Sequence, residues 1–420
     1  MANEQVVNVG IGFATGRKGF QKVLNTYVYN WKDSGLTDSA HVRLHLFIAY
    51  DLLYSNTSAS DYTRISKDLT DKVDGIHFVD AAYIQQEKEN LIQQKIIRPD
   101  EAELFFSSGY AAMRNAVLHA SVQQGMDYLL FLDDDEYPMA VTRDKRVALW
   151  SGQPVLLNHL KYIQDADITN GYHCGYISPI PSIAFNHILP EDDFRIFIEA
   201  ISNDIINWDN LRRVMQQGGV TYANTRVLID DQAQEVPEVN RCKFISGSNL
   251  CINLTDVRRV FPFYNPPGAR GEDTFLSTCL SERKVLRIPS FAFHNGFGQY
   301  NYLLSGVLPT ELKPILADSK AVIARFYNAC VGWVRYKPLL LYITQREAYA
   351  ERIAEMRSKL ALTLPKMAAY FKHRDFFKIM AELDRYDRDV QLHYQQFMNT
   401  QQIWERIVAY LLAHRTPGRD

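Results

Sequence analysis

Asp133, Asp134, Asp135 and Glu136 set four carboxylates in succession at the end of the apolar run Tyr128-Leu129-Leu130-Phe131-Leu132. Adjacent carboxylates repel one another unless something neutralises them. A hard divalent cation does this well, because Mg²⁺ and Mn²⁺ prefer carboxylate oxygen and take further ligands from phosphate. The chemistry indicated is a metal-assisted site for a phosphate-bearing ligand; the plain alternative is an acidic turn capping a surface strand. A second acidic block, Glu272-Asp273, follows a Pro-Gly loop. Acids at a helix start favour its dipole, but an Asp held beside an acceptor hydroxyl can also take its proton as a bond forms. His294 ends another apolar run, and neutral imidazole is a good Mn²⁺ ligand. Arg17 and Lys18 sit in the small turn Ala14–Gly19, which offers an anion both cations and backbone N–H groups. Arg114 would give a phosphate a bidentate contact, or else be an ordinary solvated helix charge. His173-Cys174 has no partner at metal-ligand spacing and is expected to be structural.

The elements that must position these residues follow from periodicity. Val6–Phe13, Val42–Asp51, Gly75–Asp80 and Asp127–Leu132 read as strands, and three of them run into acids: Asp51, Asp80 and Asp133. A helix is expected from the Ala14–Gly19 turn to about Trp31, and another over Ser108–Gln124 with Met113, Val117 and Ala120 inward. Strands alternating with helices predict an α/β domain with a largely parallel sheet. Ligands of such sheets bind beyond the carboxyl ends of the strands, where all these acids fall. Residues about 139–165 read as mixed and polar. Asp167–Ile177 and Val285–His294 are further strands, Phe194–Gln217 one or two helices, and Ser246-Gly247-Ser248-Asn249 a small-residue segment open to close approach. Helical spacing dominates beyond about Leu303: Ile353, Met356, Leu360; Phe376, Met380, Leu383; Ile403, Ile407, Tyr410, with Pro338 and Pro365 as punctuation.

The totals set limits. The chain has 420 residues, 47% hydrophobic and 22% charged, with net charge −2, so nothing drives it toward nucleic acid. Residues 311–420 carry 18 Lys and Arg against 12 Asp and Glu, a basic bias that suits a membrane surface, a homo-oligomer contact or simply a solvated bundle. Five scattered cysteines without a Cys-x-x-Cys pair argue against a disulfide framework or zinc ribbon and for a reducing compartment. Neither a signal peptide nor a spanning segment is visible, so a cytoplasmic protein, peripheral to a membrane at most, is expected.

Taken in order, the pieces resemble glycosyltransferases of the GT-A fold, most closely the inverting family 2 pattern, over residues 5–300. The matching positions are Thr15 and its turn, Asp51, Arg114-Asn115, Asp133-Asp134-Asp135, Gly247-Ser248-Asn249, Glu272-Asp273 and Phe293-His294. The usual Gly-Gly-Asn is Gly-Ser-Asn here, and no Gln-x-x-Arg-Trp of processive synthases is present. The resemblance implies a Rossmann-like, mostly parallel sheet flanked by helices over 1–302, with a nucleotide half to about 138, an acceptor half beyond it, and an all-α extension over 303–420. It implies non-processive transfer of a sugar from a UDP- or GDP-sugar to a glycan, lipid-linked or protein acceptor, with Mn²⁺ or Mg²⁺. Asp51 would meet the base, Thr15, Arg17, Arg114, Asp134 and Asn249 the donor, and Asp133 the ribose or metal. Asp135 and His294 would hold the cation, and Asp273, seconded by Glu272, would be the base. Asp133 with Asp135 is the favoured D-x-D pair and Asp134 with Glu136 the rival. A retaining transferase, a nucleotidyltransferase and a non-catalytic nucleotide-sugar-binding protein are the alternatives.

Overall fold

Seven consecutive buried residues, Val9 to Thr15, make the first strand, β1 (Val7–Thr15), an interior strand covered on both faces. The computed structural model of the chain describes residues 6–107, 109–202 and 208–414. Around β1 the strands β2 (Val42–Tyr50), β3 (Gly75–Val79) and β4 (Tyr128–Leu132) run parallel, the arrangement expected from alternating strands and helices. The chain then departs from that scheme. After β5 (Glu136–Tyr137) comes an antiparallel hairpin of β6 (Met139–Asp144) and β7 (Val147–Gly152), then β8 (Ile168–Gly175). Short β9 (Gln234–Glu235), β10 (Glu238–Val239) and β11 (Cys242–Lys243) precede β12 (Leu250–Asn253) and the long β13 (Val285–His294). The main sheet has the order β3-β2-β1-β4-β12-β8-β13-β5, with β9 also paired to β13. It is mixed, because β12 lies antiparallel to both β4 and β8, and β5 and β9 antiparallel to β13.

This topology brings distant sequence blocks to one edge. β1, β2, β4, β8 and β13 all end there, while antiparallel β12 begins there, its Leu250 opposite Phe131. Thr15, Asp51, Asp133–Asp135, Ser246–Ser248 and His294 therefore share a rim although they are far apart in sequence. The helix Tyr110–Gln123 presses on β1 and β2 so closely that a Cβ on Gly12 would stand 2.7 Å from Val117 Cγ1. Met113, Val117 and Ala120 are buried as expected, but so are Arg114, Asn115 and His119: the helix is covered all round. The predicted start at Ser108 lies outside the described residues.

The C-terminal helices are Lys320–Thr344, Tyr349–Phe371, Lys378–Arg388 and Val390–Ala413. Pro338 and Pro365 lie inside the first two rather than between helices, a correction to their reading as punctuation. Tertiary packing outweighs the lost backbone bond: Pro338 stands among buried Tyr336, Leu339, Leu340 and Leu341. Phe326, Leu360 and Phe376 share a core with Phe194 and Phe197 of the helix Glu191–Ile201. The last helix leaves that core and packs on the α/β unit. Its Trp404 lies parallel to Phe105 at 6.0 Å and donates from Nε1 to the Val260 carbonyl at 2.9 Å. No helix among the described residues is long and apolar enough to cross a membrane.

Candidate functional site

β4 delivers its acids into a nest of cations. Arg17, in the turn after β1, lays its guanidinium across two of them, 3.1 Å from Asp134 and 2.7 Å from Asp135. Thr15 donates its hydroxyl to Asp134 at 2.6 Å. His294, the last residue of β13, holds Nε2 3.5 Å from Asp135, while its Nδ1 lies 2.8 Å from the Tyr176 carbonyl. Glu136 turns inward, accepts the Ser248 hydroxyl at 2.6 Å and stands 3.1 Å from His173 Nε2. Its other oxygen, Oε2, is buried without a hydrogen-bond partner among the described residues.

Arg114 joins the two acidic blocks. It is 3% exposed, with its guanidinium over the faces of Phe131 and Phe263. One N–H reaches Asp133 at 3.1 Å, another donates to the Gly247 carbonyl, and Nε lies 3.7 Å from Glu272. The alternative of a solvated helix charge therefore falls. Gly247 in turn abuts Asp273: a Cβ there would stand 3.5 Å from both Asp273 Cβ and the Arg114 guanidinium carbon. Glu272 and Asp273 open the short helix Glu272–Ser277, and the loop before it is gripped by the C-terminal helices. Arg335 donates to the Gly268 carbonyl at 2.7 Å, Tyr386 to that of Pro267, and the Tyr336 ring packs at Gly271.

These surroundings split the carboxylates into two kinds. Burial opposes ionisation of Asp135, but His294, Arg17 and Arg325 outweigh it and hold its carboxyl far below the usual range. Glu136 is likewise lowered, with His173, His294 and Ser248 outweighing burial. Asp133 goes the other way. Burial and the neighbouring acids push it up to about 7 despite Arg114, although 34% of its side chain still meets solvent. Burial and Glu272 push Asp273 up to about 6. His294 reaches about 9, because Asp135 and Glu136 overcome the burial that would lower it. Carboxylates with opposite tuning in one site are the usual sign of divided labour.

Several expected ligand residues have other duties. Asn249 adopts a positive φ of 48° and is fully buried. Its amide bonds His159 at 2.9 Å and the carbonyls of Tyr172 and Ser290 at 3.1 and 3.2 Å, so it ties β12 to its neighbours rather than facing the rim. Asp51 stands on the rim and accepts the Leu53 amide at 2.9 Å. Asp80 caps the helix Ala81–Gln93 through the Tyr83 amide at 2.8 Å.

Other site residues escaped sequence reasoning. Arg325, from the helix Lys320–Thr344, stacks on Phe297 at 4.5 Å and acts on Asp135 from a region read as an appendage. Arg270 shares its field, and its place in the Pro-Gly loop just before Glu272 was the available signal. Tyr54 covers Gly16, where a Cβ would stand 2.5 Å from its own Cβ, and meets Tyr110 edge-on at 6.3 Å.

Of the expected cation ligands Asp133, Asp135 and His294, the fold pairs Asp135 with His294 at 3.5 Å and gives Asp133 to Arg114 at 3.1 Å; among the described residues no group of three or more His, Cys, Asp or Glu is gathered to hold a metal ion. The bond from His294 Nδ1 to a carbonyl is the outer-sphere pattern that leaves Nε2 to a metal. Mg²⁺ and Mn²⁺ commonly take one or two carboxylates and complete their shell with water and phosphate. The donor types fit, at the cost of the His294 proton and of the Arg17 contact. No protein-family model matches the sequence, and no curated protein matches it.

Proposed function

We propose that the protein is a glycosyltransferase of the GT-A kind, moving a sugar from a nucleotide-diphosphate donor to an acceptor hydroxyl with inversion. The observation that carries this reading is Arg114, which holds Asp133 at 3.1 Å, donates to the Gly247 carbonyl and lies 3.7 Å from Glu272, so that both acidic blocks meet at one guanidinium. One pole is cationic and suits a diphosphate: Arg17 and Arg325 act on Asp135, Arg17 also on Asp134, and Arg270 lies in the field of Arg325. The other is a carboxylate tuned to about 6, near the optimum for a base working at neutral pH.

In this reading Asp273 takes the proton of the acceptor hydroxyl. The acceptor oxygen bonds to the anomeric carbon as the bond from that carbon to the β-phosphate oxygen breaks. The electron pair leaves with the nucleotide diphosphate, whose added charge Arg17 and Arg325 are placed to offset. A divalent cation at Asp135 and His294 would supply further stabilisation of that charge without a proton donor. Tyr54 and Tyr110 at the rim offer ring faces to a base. A metal-free form of the same reaction is favoured by one observation, the Arg17 guanidinium already lying across Asp134 and Asp135.

Thermal-shift measurement with UDP-, GDP-, CDP- and dTDP-sugars, with Mn²⁺ and with EDTA, tests both forms, since a ligand that binds the native state raises its apparent stability. Stabilisation by one nucleotide sugar is expected. Its loss in EDTA selects the metal-dependent form and its persistence the arginine form. No response to any nucleotide sugar refutes the proposal.

A further inference from the structure

A cleft of about 850 Å³, open to solvent, lies against β8 and β13, and its lining includes none of the arginines around Asp135. Its size falls in the range of small-molecule sites, roughly 300–1,000 Å³. Three aromatic residues line it: Tyr172, Tyr222 and Phe291. Tyr172 and Phe291 are stacked at 5.1 Å and 23°. Each tyrosine is backed by an arginine, Arg287 at 5.4 Å from the Tyr172 ring and Arg143 at 5.6 Å from that of Tyr222. Arg287 is itself anchored to the carbonyls of Gly171 and Phe244, so the Tyr172 platform is fixed before any ligand arrives.

Apart from Val227 the remaining lining is polar and its formal charges balance. Amide side chains such as Gln234 line it, and Arg226 is matched by Asp230. The formal charges of the lining cancel, one arginine against one aspartate, in contrast to the arginines around Asp135. Fixed aromatic faces with neutral amide donors and acceptors suit a ligand that alternates C–H faces with hydroxyl edges. That description fits a sugar ring without charged substituents.

The cleft also reaches the acid run. His173 lines it and touches Glu136 at 3.1 Å and the Ser248 hydroxyl at 3.2 Å. Ser248 follows Gly247, and a Cβ on Gly247 would stand 3.5 Å from that of Asp273. His173 and Asp273 thus neighbour adjacent residues of one short segment. We infer that this cleft binds a neutral oligosaccharide and, on the glycosyltransferase reading, that it is the acceptor subsite, with His173 at its junction with the reaction centre. Glycan binding itself stands apart from that reading.

The test applies the labelled full chain to immobilised neutral oligosaccharides and to sialylated and sulfated ones. Variants Tyr222→Ala and Gln234→Ala are compared, the latter at an exposed position of β9 outside the core. Nucleotide-sugar thermal shifts are run alongside, together with each variant's own melting temperature as a check on folding. We expect retention of neutral glycans, weakened about fivefold or more by Tyr222→Ala through loss of the ring face, and also weakened by Gln234→Ala. No neutral glycan retained, a preference for the acidic ones, or unchanged binding in both folded variants overturns the inference. Glycan binding that depends on Tyr222, in a protein that no nucleotide sugar stabilises, keeps the cleft and removes the transferase.

Discussion

Asp273→Asn separates the cost of a tuned acid from its use. In the unfolded chain this carboxyl ionises near its ordinary 3.8, and in the folded protein near 6. The folded state therefore holds the proton more tightly, and stability falls as pH rises from about 4 through about 6. Above that window the charge is carried at full cost. Each tenfold gain in proton affinity corresponds to about 1.4 kcal/mol, so the ceiling at pH 8 is about 3 kcal/mol, shrinking to about 1 kcal/mol at pH 4.5. Asparagine keeps an oxygen for the Thr274 amide, 2.8 Å away, and carries no charge. An unfolding entropy of about 2.1 cal/mol/K per residue makes 3 kcal/mol worth about 3 °C in a chain this long. The variant is expected to melt about 3 °C above the parent at pH 8 and about 1 °C above it at pH 4.5, by scanning calorimetry or fluorimetry. On the proposed function it also loses transfer, while the parent's kcat/KM falls as pH drops through about 6. Equal melting temperatures at pH 8, or the same offset at both pH values, would refute the electrostatic reasoning irrespective of any activity.

Three further outcomes follow from the same contacts. Arg114→Ala leaves Asp133 and the Gly247 carbonyl without their buried partner and is expected to cost about 3–5 kcal/mol in denaturant unfolding; a loss under 1 kcal/mol would show the site holds together without it. Trp404→Ala removes the ring against Phe105 and the bond to Val260, at an expected cost of about 3–5 kcal/mol. If the last helix instead contributes nothing to the α/β unit, the same unfolding experiment shows no change. In the metal-dependent form Asp135→Ala removes a ligand of the cation, so a folded variant is expected to lose the Mn²⁺-dependent part of its donor-induced stabilisation; an undiminished Mn²⁺-dependent shift would take Asp135 out of the metal site.

The strands of the parallel half were readable because an interior strand needs an unbroken apolar run, as in Val9–Phe13 and Leu129–Leu132. The rim acids were readable because three of the four runs end abruptly in an acid, Asp51, Asp80 and Asp133. What lay in the folded state alone was harder. The β6–β7 hairpin buries few residues and without regular alternation, Ala140 and Val141 side by side and Ala148 on β7, and the helix Val155–Ile163 follows at once, so residues 139–165 averaged to a polar mixture. Asn249 carries the composition of a ligand residue, yet β12's neighbours claim each of its polar atoms. Arg325 has no local signature, since its proximity to Asp135 arises from the docking of a helix nearly 200 residues further along. Proline in a helix interior contradicts propensity, and Pro338 is overruled by the apolar surface buried around it.

The Arg17 guanidinium has a consequence for how any anion enters. Asp134 and Asp135 already share the Arg17 guanidinium, so an arriving phosphate meets a cation that is occupied. Entry then works as ion exchange: a guanidinium passes from carboxylate to phosphate, and the released carboxylates must be compensated by His294, Arg325 or an added cation. Part of the attraction is thus spent on displacement. A weak anion such as chloride gains little by competing, while a polyvalent one that draws in its own counter-ion gains much. The resting site screens for charge density before it reads shape.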